Sequence, residues 1–219
     1  MCWKVTPSLY SAWLFFAKPQ FDRTEEQELA ARAEFIRILR KEPAAPSDAM
    51  RRGTLFEDLI MQNIRGGQII IPEDCDEEGK PLLTDGDRIC ANQIAMMCRE
   101  GIFQVKDGRE LPSGNYIYGV ADCLMLNGIF DFKRTESYEM GKYIKSIQHW
   151  AYMYIWDMQQ FNYLVGDGSP EPFIEPYNWN DKSLALLEGR ICEMIYWINC
   201  DEELRNIFAE GWKYEKALK

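Results

Sequence analysis

The sequence predicts a single α/β domain, in which a mixed β-sheet is flanked by helices. Asn127-Gly128 lies between two alternating apolar runs, a pattern typical of a β-hairpin because both central residues of a type I′ turn need positive φ. A helical segment and then an apolar strand follow this hairpin, an order that predicts helices packed on one sheet. A chain of 219 residues with 47% hydrophobic content can bury a substantial core.

Capping residues and helical periodicity predict six helices. They are a short helix capped by Ser8, one capped by Thr24 that reaches about residue 40, and others at about 48–65, 85–99, 139–158 and from 181 onward. Gly66-Gly67 is expected to end the third helix, and the last helix is expected to break near residues 199–201.

Apolar alternation predicts an antiparallel meander and further strands. The meander strands are expected at about 101–106, 115–126 and 129–134, with a later strand at 161–165, an edge strand at 173–177 and a candidate strand at 69–71. Within the single domain 1–219 we expect a helical part at 1–50, a core at 51–167 and a second helical part at 168–219.

Composition restricts the setting and the partners of the protein. The net charge of −10 does not indicate nucleic-acid binding, which would need a local basic patch or metal ions between carboxylates and phosphates. The seven cysteines show no CxxC spacing and are expected to be reduced structural thiols. No apolar run approaches the roughly 20 residues that span a bilayer, and 9–17 is interpreted as an amphipathic helix, so we expect a cytoplasmic protein without a membrane partner.

The predicted hairpin brings charged residues together on one face of the sheet. A two-residue turn at Asn127-Gly128 places Asp122 opposite Lys133, and Asp131 shares their face because strand side chains alternate. Charge on an otherwise apolar face is costly unless it is paired or holds a metal. The site is therefore either a structural ion pair on a solvated face or a centre for a hard cation such as Mg²⁺, which prefers oxygen ligands.

Glu57 could supply a third carboxylate from the helix at 48–65. It lies at the rim of an inward stripe formed by Gly53, Phe56, Ile60 and Ile64. The alternative is a rim glutamate that reaches solvent. Gly53 favours a functional role, because a glycine inside a helix costs about 1 kcal/mol relative to alanine and indicates close backbone approach.

The helix predicted at 139–158 carries two further polar candidates. Gln148 and Tyr152 are four residues apart and therefore neighbours on the helix surface. They lie beside a predicted core stripe of Ile144, Ile147, Ala151 and Ile155. Lys142 and Lys145 on another flank either contact phosphates or form a solvated face. His149, the only histidine, is interpreted as a partly buried residue and not as a catalytic base.

Four motifs in this order resemble the PD-(D/E)XK nuclease superfamily, and within it the RecB-type exonuclease branch that includes phage recombination exonucleases. They are Gly53-x-x-x-Glu57, Gly119-Val-Ala-Asp122, Asp131-Phe-Lys133 and Gln148-x-x-x-Tyr152. The segments at 6–10 and 18–21 also resemble the N-terminal helix of that branch. Ala121 stands where the superfamily has its namesake proline, a departure that is common in the RecB-type branch.

The resemblance implies a restriction-endonuclease-like core and metal-dependent hydrolysis of DNA, by an exonuclease of phage or recombination-repair type. An endonuclease of the same superfamily and a non-catalytic DNA- or protein-binding module are the alternatives. By position, Glu57, Asp122, Asp131 and the Phe132 backbone carbonyl would bind Mg²⁺ or Mn²⁺, Lys133 would be the catalytic lysine, and Gln148 and Tyr152 would be positioning residues.

The same resemblance implies duplex DNA ends as the partner. We assign DNA contacts to Gly53, Arg134, Lys142 and Lys145. A single-strand annealing protein or a homo-oligomer is expected to supply additional affinity for DNA. Some members of the superfamily carry an iron–sulfur cluster, but only Cys192 and Cys200 follow the core here, so none is expected.

Overall fold

The computed structural model describes residues 2–17, 23–66, 74–76 and 79–215. The predicted strand at 69–71 and the segment at 18–21 lie outside these described residues. The helices are α1 (Pro7–Ala12), α2 (Glu25–Leu39), α3 (Asp48–Arg65), α4 (Asp85–Met97), α5 (Gln148–Trp156), α6 (Ser183–Cys200) and α7 (Glu202–Gly211), with a π-helical turn at Trp13–Ala17 after α1. None of the described helices is both long enough and apolar enough to cross a lipid bilayer.

The described strands form one mixed sheet, which confirms the predicted fold class. They are β1 (Cys2–Val5), β2 (Ile102–Glu110), β3 (Tyr116–Met125), β4 (Gly128–Arg134), β5 (Gln160–Gly166), β6 (Phe173–Asn178) and β7 (Lys213–Tyr214). The order across the sheet is β6-β5-β4-β3-β1-β7, and β2 also pairs with β3. β4–β5 and β1–β3 are parallel, and the other pairs are antiparallel.

Two neighbours share one edge of β3 and leave a gap between them. β2 pairs along β3 from Tyr116 to Leu124 and so occupies the opposite edge. On the shared edge, β1 pairs with Tyr116 and Ile117, while β4 pairs only with 123–125. In the described part of the chain, no strand pairs with 118–122 on this edge, and we call this opening in the sheet the fork.

Two hydrophobic cores cover the two faces of the sheet. The first core is formed with α1, α2, α5, α6 and α7, and the aromatic rings of Trp3 and Phe208 stack in it at a centroid distance of 4.5 Å. The second core is formed mainly by α3 and α4, with Phe56, Leu59 and Ile60 buried at its centre. Helices on opposite faces of the sheet therefore both lie next to the fork.

The helix ends follow the capping signals with one exception. Thr24 caps α2 through a capping box, and Gly66 ends α3 in the left-handed conformation, as predicted. Thr6, not Ser8, caps α1, because the Thr6 side chain accepts the Leu9 N–H at 3.1 Å and Pro7 occupies the first helical position. The Ser8 hydroxyl instead lies 3.0 Å from the Thr6 hydroxyl.

The helix predicted at 139–158 is wrong in its first half. α5 begins only at Gln148, and the preceding residues form consecutive turns. Gly141 adopts a left-handed φ of 88°, and the Tyr143 N–H donates to the buried Glu175 carboxylate of β6 instead of continuing a helix. Ile144, predicted in the core stripe, is consequently 61% exposed, whereas Ala151 and Ile155 are buried as predicted.

Candidate active site

The hairpin register differs from the predicted one by two residues. Met125 pairs with Gly128 and Leu124 with Ile129, so the turn is at Leu126 and Asn127 rather than Asn127-Gly128. Gly128 instead begins β4, where an added Cβ atom would lie 2.8 Å from the Gln160 carbonyl oxygen. Asp122 is therefore not opposite Lys133, but a shift of two residues leaves every side chain on its predicted face.

Asp122 lies where β3 and β4 separate at the fork. The β3–β4 ladder ends at Cys123, and the Asp122 Oδ2 atom takes over as acceptor for the Phe132 N–H at 2.8 Å. The carboxylate thus replaces a backbone acceptor at the point where the strands part. This contact fixes Asp122 beside the strand that carries Asp131.

Asp131 is almost fully buried on β4 and is held by two side chains. The Gln148 Nε2 atom of α5 donates to its Oδ1 atom at 2.6 Å, and the Lys133 ammonium forms an ion pair with its Oδ2 atom. Asp131 and Lys133 share one face of β4, as the alternation predicts. The structure therefore brings Asp122, Asp131, Lys133 and Gln148 together at the fork.

Glu57 approaches this group from α3. Its Oε1 atom accepts a hydrogen bond of 2.6 Å from the Gln104 Nε2 atom of β2. α3 packs in the second core and α5 in the first, so Glu57 and Gln148 reach the charged group from opposite faces of the sheet. Gln104 was not predicted, because a lone glutamine in a strand pattern gives no signal that would identify it.

Burial and the Asp131 charge raise the pKa values of Asp122 and Glu57. Burial and then the Asp131 carboxylate raise the pKa of Asp122 well above its usual value. Burial, followed by the Asp131 charge, also raises the pKa of Glu57. Burial would lower the pKa of Lys133, but the Asp131 and Asp122 carboxylates outweigh it and the pKa is raised. The group thus carries more negative charge than its one ammonium offsets.

The donor chemistry of this group fits a hard divalent cation. The carboxylates of Glu57, Asp122 and Asp131 offer the oxygen ligands that Mg²⁺ and Mn²⁺ prefer, and a cation would relieve their mutual repulsion. Within the described residues, however, no three acidic, thiol or imidazole groups are close enough to enclose an ion. The ion pair with Lys133 occupies an Asp131 oxygen that a cation would use, whereas the Gln104 hydrogen bond takes only one of the two Glu57 oxygens. The Asp131 and Lys133 side chains must therefore move apart for the acids to close around a metal.

A cleft leads from Lys133 and Gln148 to the N-terminal helix. It has a volume of about 390 Å³ and is lined on its far side by the hydroxyls of Thr6, Ser8 and Ser11. The Tyr152 side chain lies in its wall and donates to the Val120 carbonyl oxygen at 2.8 Å. The segment at 6–10 was predicted only through its resemblance to an N-terminal helix, and two of its residues, Thr6 and Ser8, line the cleft together with Ser11.

Substitution by alanine is expected to have opposite effects on stability at two glycines of the motifs, Gly119 and Gly53. An added Cβ atom at Gly119 would lie 2.5 Å from the Tyr152 Cε1 atom, whereas nothing lies within 4 Å of one at Gly53. The prediction that another backbone approaches Gly53 closely is therefore wrong for contacts within the protein. Gly119→Ala is expected to lower the free energy of unfolding by about 1–3 kcal/mol through overpacking. Gly53→Ala is expected to raise it by about 1 kcal/mol, because alanine is the better helix former.

Urea unfolding of both variants in EDTA measures these effects. Gly189→Ala in the middle of α6 is the matched control for Gly53→Ala, because nothing lies within 4 Å of its added Cβ atom either. Equal stability changes for Gly119→Ala and Gly53→Ala would contradict the packing at Gly119.

The three charged residues to which DNA contacts were assigned differ in their exposure. The Arg134 side chain is only 6% exposed, and its Nε atom lies 2.5 Å from the Oδ1 atom of the buried Asp87, so it is not placed to contact DNA. Lys142 is exposed, and its Nζ atom donates to the Ser137 carbonyl oxygen at 2.7 Å. Lys145 is exposed in the turns before α5.

His149 is completely buried, not partly buried as predicted. Its ring stacks on Tyr177 at a centroid distance of 3.9 Å. Burial, with a smaller contribution from Arg190, lowers the pKa of His149 to about 3, so the imidazole is neutral at physiological pH.

No protein-family model and no curated protein matches this sequence. Solved structures do. LHK-Exo, an alkaline exonuclease from Laribacter hongkongensis solved in complex with dAMP, is 15% identical with a TM-score of 0.53, over 94% of this chain and 92% of that one. A candidate exonuclease from Eubacterium rectale is 15% identical with a TM-score of 0.51, over 98% of this chain and 90% of that one. At these identities the similarity shows the fold alone, which this chain shares with the two exonuclease structures and which agrees with the fold that the resemblance implied.

Proposed function

We propose that this protein is a metal-dependent deoxyribonuclease that removes nucleotides from the ends of duplex DNA. The observation that carries the proposal is the convergence at the fork, where α3 and α5 bring Glu57 and Gln148 from opposite faces to Asp122, Asp131 and Lys133. Carboxylates whose pKa values are raised by burial and by a neighbouring charge, as at Glu57 and Asp122, are typical of functional sites. The exonuclease-type fold supports the same conclusion.

We assign the cation to the carboxylates of Glu57, Asp122 and Asp131 and to the Phe132 backbone carbonyl. Bound there, Mg²⁺ or Mn²⁺ would lower the pKa of a water molecule and stabilise the charge that develops on a phosphate. The Phe132 N–H is already bonded to Asp122, so Phe132 and Asp122 are held together as two of these donors.

Lys133 is assigned to the scissile phosphate as a cation. The Asp131 and Asp122 carboxylates raise its pKa, so it keeps its proton at neutral pH and is not a general base in this state. Its ammonium group lines the cleft, where it can donate to a phosphate oxygen and stabilise the transition state. Gln148 then acts as a positioning residue, because it holds Asp131 from α5.

The net charge of −10 bears on how the protein holds DNA. We extend the proposal to a second source of affinity, either further copies of this chain or a single-strand annealing protein, and to a phage or recombination-repair setting. Lys142 and Lys145 remain the assigned phosphate contacts, since both are exposed in the turns that connect β4 to α5.

Digestion of matched linear and covalently closed circular duplexes tests the proposal. With Mg²⁺ or Mn²⁺ we expect the linear DNA to be degraded to mononucleotides while the circle stays intact, and EDTA should stop the reaction. Asp131→Asn is expected to abolish degradation, whereas Asp181→Asn, an exposed carboxylate before α6, should retain it. Nicking of the circle would identify an endonuclease, and metal and DNA binding without any cleavage would identify a binding module; either result contradicts the proposal.

A further inference from the structure

Gln104 has a backbone conformation that its position in a strand does not explain. In the described residues, three non-glycine residues have positive φ, namely Lys41, Gln104 and Asp157. Lys41 and Asp157 lie at the C-terminal ends of α2 and α5, where the left-handed conformation is a common way to end a helix. Gln104, with a φ of 53°, lies inside β2. A strained residue inside a strand is most often found at functional sites.

The strained residue Gln104 lies next to two of the predicted acids, Asp122 and Glu57. The β2–β3 ladder pairs Phe103 with Cys123 and Val105 with Ala121, so Gln104 lies across from Asp122, and the ladder is interrupted at this position. The Gln104 side chain reaches the acid on α3, with its Nε2 atom 2.6 Å from the Glu57 Oε1 atom. One residue thus lies beside Asp122 through its backbone and holds Glu57 through its amide.

We propose that Gln104 is a positioning residue that holds Glu57 toward the fork for a divalent cation, a role that rests on the proposed function. The amide occupies only the Oε1 atom of Glu57 and leaves the Oε2 atom for a metal. A neutral donor suits this role, because a lysine or arginine there would neutralise the carboxylate that the cation needs. The left-handed backbone turns the Gln104 side chain away from the regular strand alternation.

Titration of the metal-free protein with Mn²⁺, followed by electron paramagnetic resonance of the free ion, tests this role without DNA. Gln104→Met keeps the side-chain length and removes the amide, and we expect its Mn²⁺ dissociation constant to rise about tenfold. Gln159→Met, the same change at an exposed position between α5 and β5, should leave the constant unchanged. In DNA digestion, Gln104→Met should need more Mg²⁺ for half-maximal rate but reach the wild-type rate at saturation.

Gln104→Gly separates a positioning role from a purely structural one. Glycine accepts positive φ without strain, so this variant is expected to unfold several degrees above Gln104→Met in EDTA. If the amide contact is what matters, its Mn²⁺ affinity stays as weak as that of Gln104→Met. Recovery of wild-type affinity by glycine would show that only the backbone shape matters and would overturn the inference.

Mn²⁺ binding by the wild-type protein and by Gln104→Met separates the role of Gln104 from the existence of the metal site. Wild-type affinity or tighter binding in Gln104→Met, with normal binding by the wild-type protein, would overturn only the role of Gln104. A wild-type protein that does not bind Mn²⁺ would overturn the metal site of the proposed function and this inference with it.

Discussion

Lys133→Ala is expected to lower the rate of digestion of linear duplex DNA by about 10³-fold at saturating metal, the scale for loss of a preorganised group that stabilises transition-state charge. Lys133 is the cation that pairs with Asp131 and lines the cleft. Removing it from a group of carboxylates leaves more uncompensated negative charge. Mn²⁺ should therefore bind the variant at least as tightly as it binds the wild-type protein.

Single-turnover digestion and a Mn²⁺ titration of the same preparations measure these two effects separately. Lys182→Ala, an exposed lysine at the start of α6, serves as the control and should change neither value. A loss of less than tenfold would contradict the role of Lys133 at the phosphate. Loss of Mn²⁺ binding would instead show that Lys133 supports the site structurally.

Asp122→Asn is expected to abolish activity and yet stabilise the metal-free protein at pH 8. Burial and the Asp131 charge raise the pKa of Asp122 in the folded state. Between the ordinary pKa of about 3.9 and this raised value, the folded protein binds a proton that the unfolded chain has released. The stability of the metal-free wild-type protein therefore falls as pH rises through that window. Asparagine removes this penalty because it carries no charge to bury.

Urea unfolding in EDTA at pH 5 and pH 8 checks the sign of the effect. We expect the advantage of Asp122→Asn over the wild-type protein to be larger at pH 8 than at pH 5. The introduced asparagine can still accept the Phe132 N–H through its side-chain oxygen, so the local hydrogen bond is retained. Asp181→Asn, at an exposed position, is the control for the same change of charge. If the variant is destabilised equally at both pH values, ionisation of Asp122 does not destabilise the folded protein, which would contradict this prediction.

Local signals in the sequence predicted much of the fold. Asp48–Arg65 forms α3 with both predicted ends, because the stop at Gly66 is a matter of local backbone conformation. The break between α6 and α7 at Asp201 was also predicted, and its side chain caps the second of these helices. Each of these features depends on residues that are close in sequence.

Features that depend on distant contacts were mispredicted or missed. Asn127-Gly128 predicted the wrong turn, because Gly128 is required for close approach to Gln160 of β5, which no hairpin pattern encodes. β1 was missed because four residues with a lysine give little strand signal, although β1 forms one side of the fork. Alternation alone still predicted the shared face of Asp131 and Lys133, since a shift of two residues does not change it.

Anomalous diffraction from crystals grown with Mn²⁺ would show directly whether the acids at the fork form a metal site. We expect an anomalous peak bounded by the carboxylates of Glu57, Asp122 and Asp131 and the Phe132 carbonyl oxygen, and we expect it to disappear in Asp131→Asn. A peak elsewhere on the protein, or no peak at the fork under saturating Mn²⁺, would contradict this expectation.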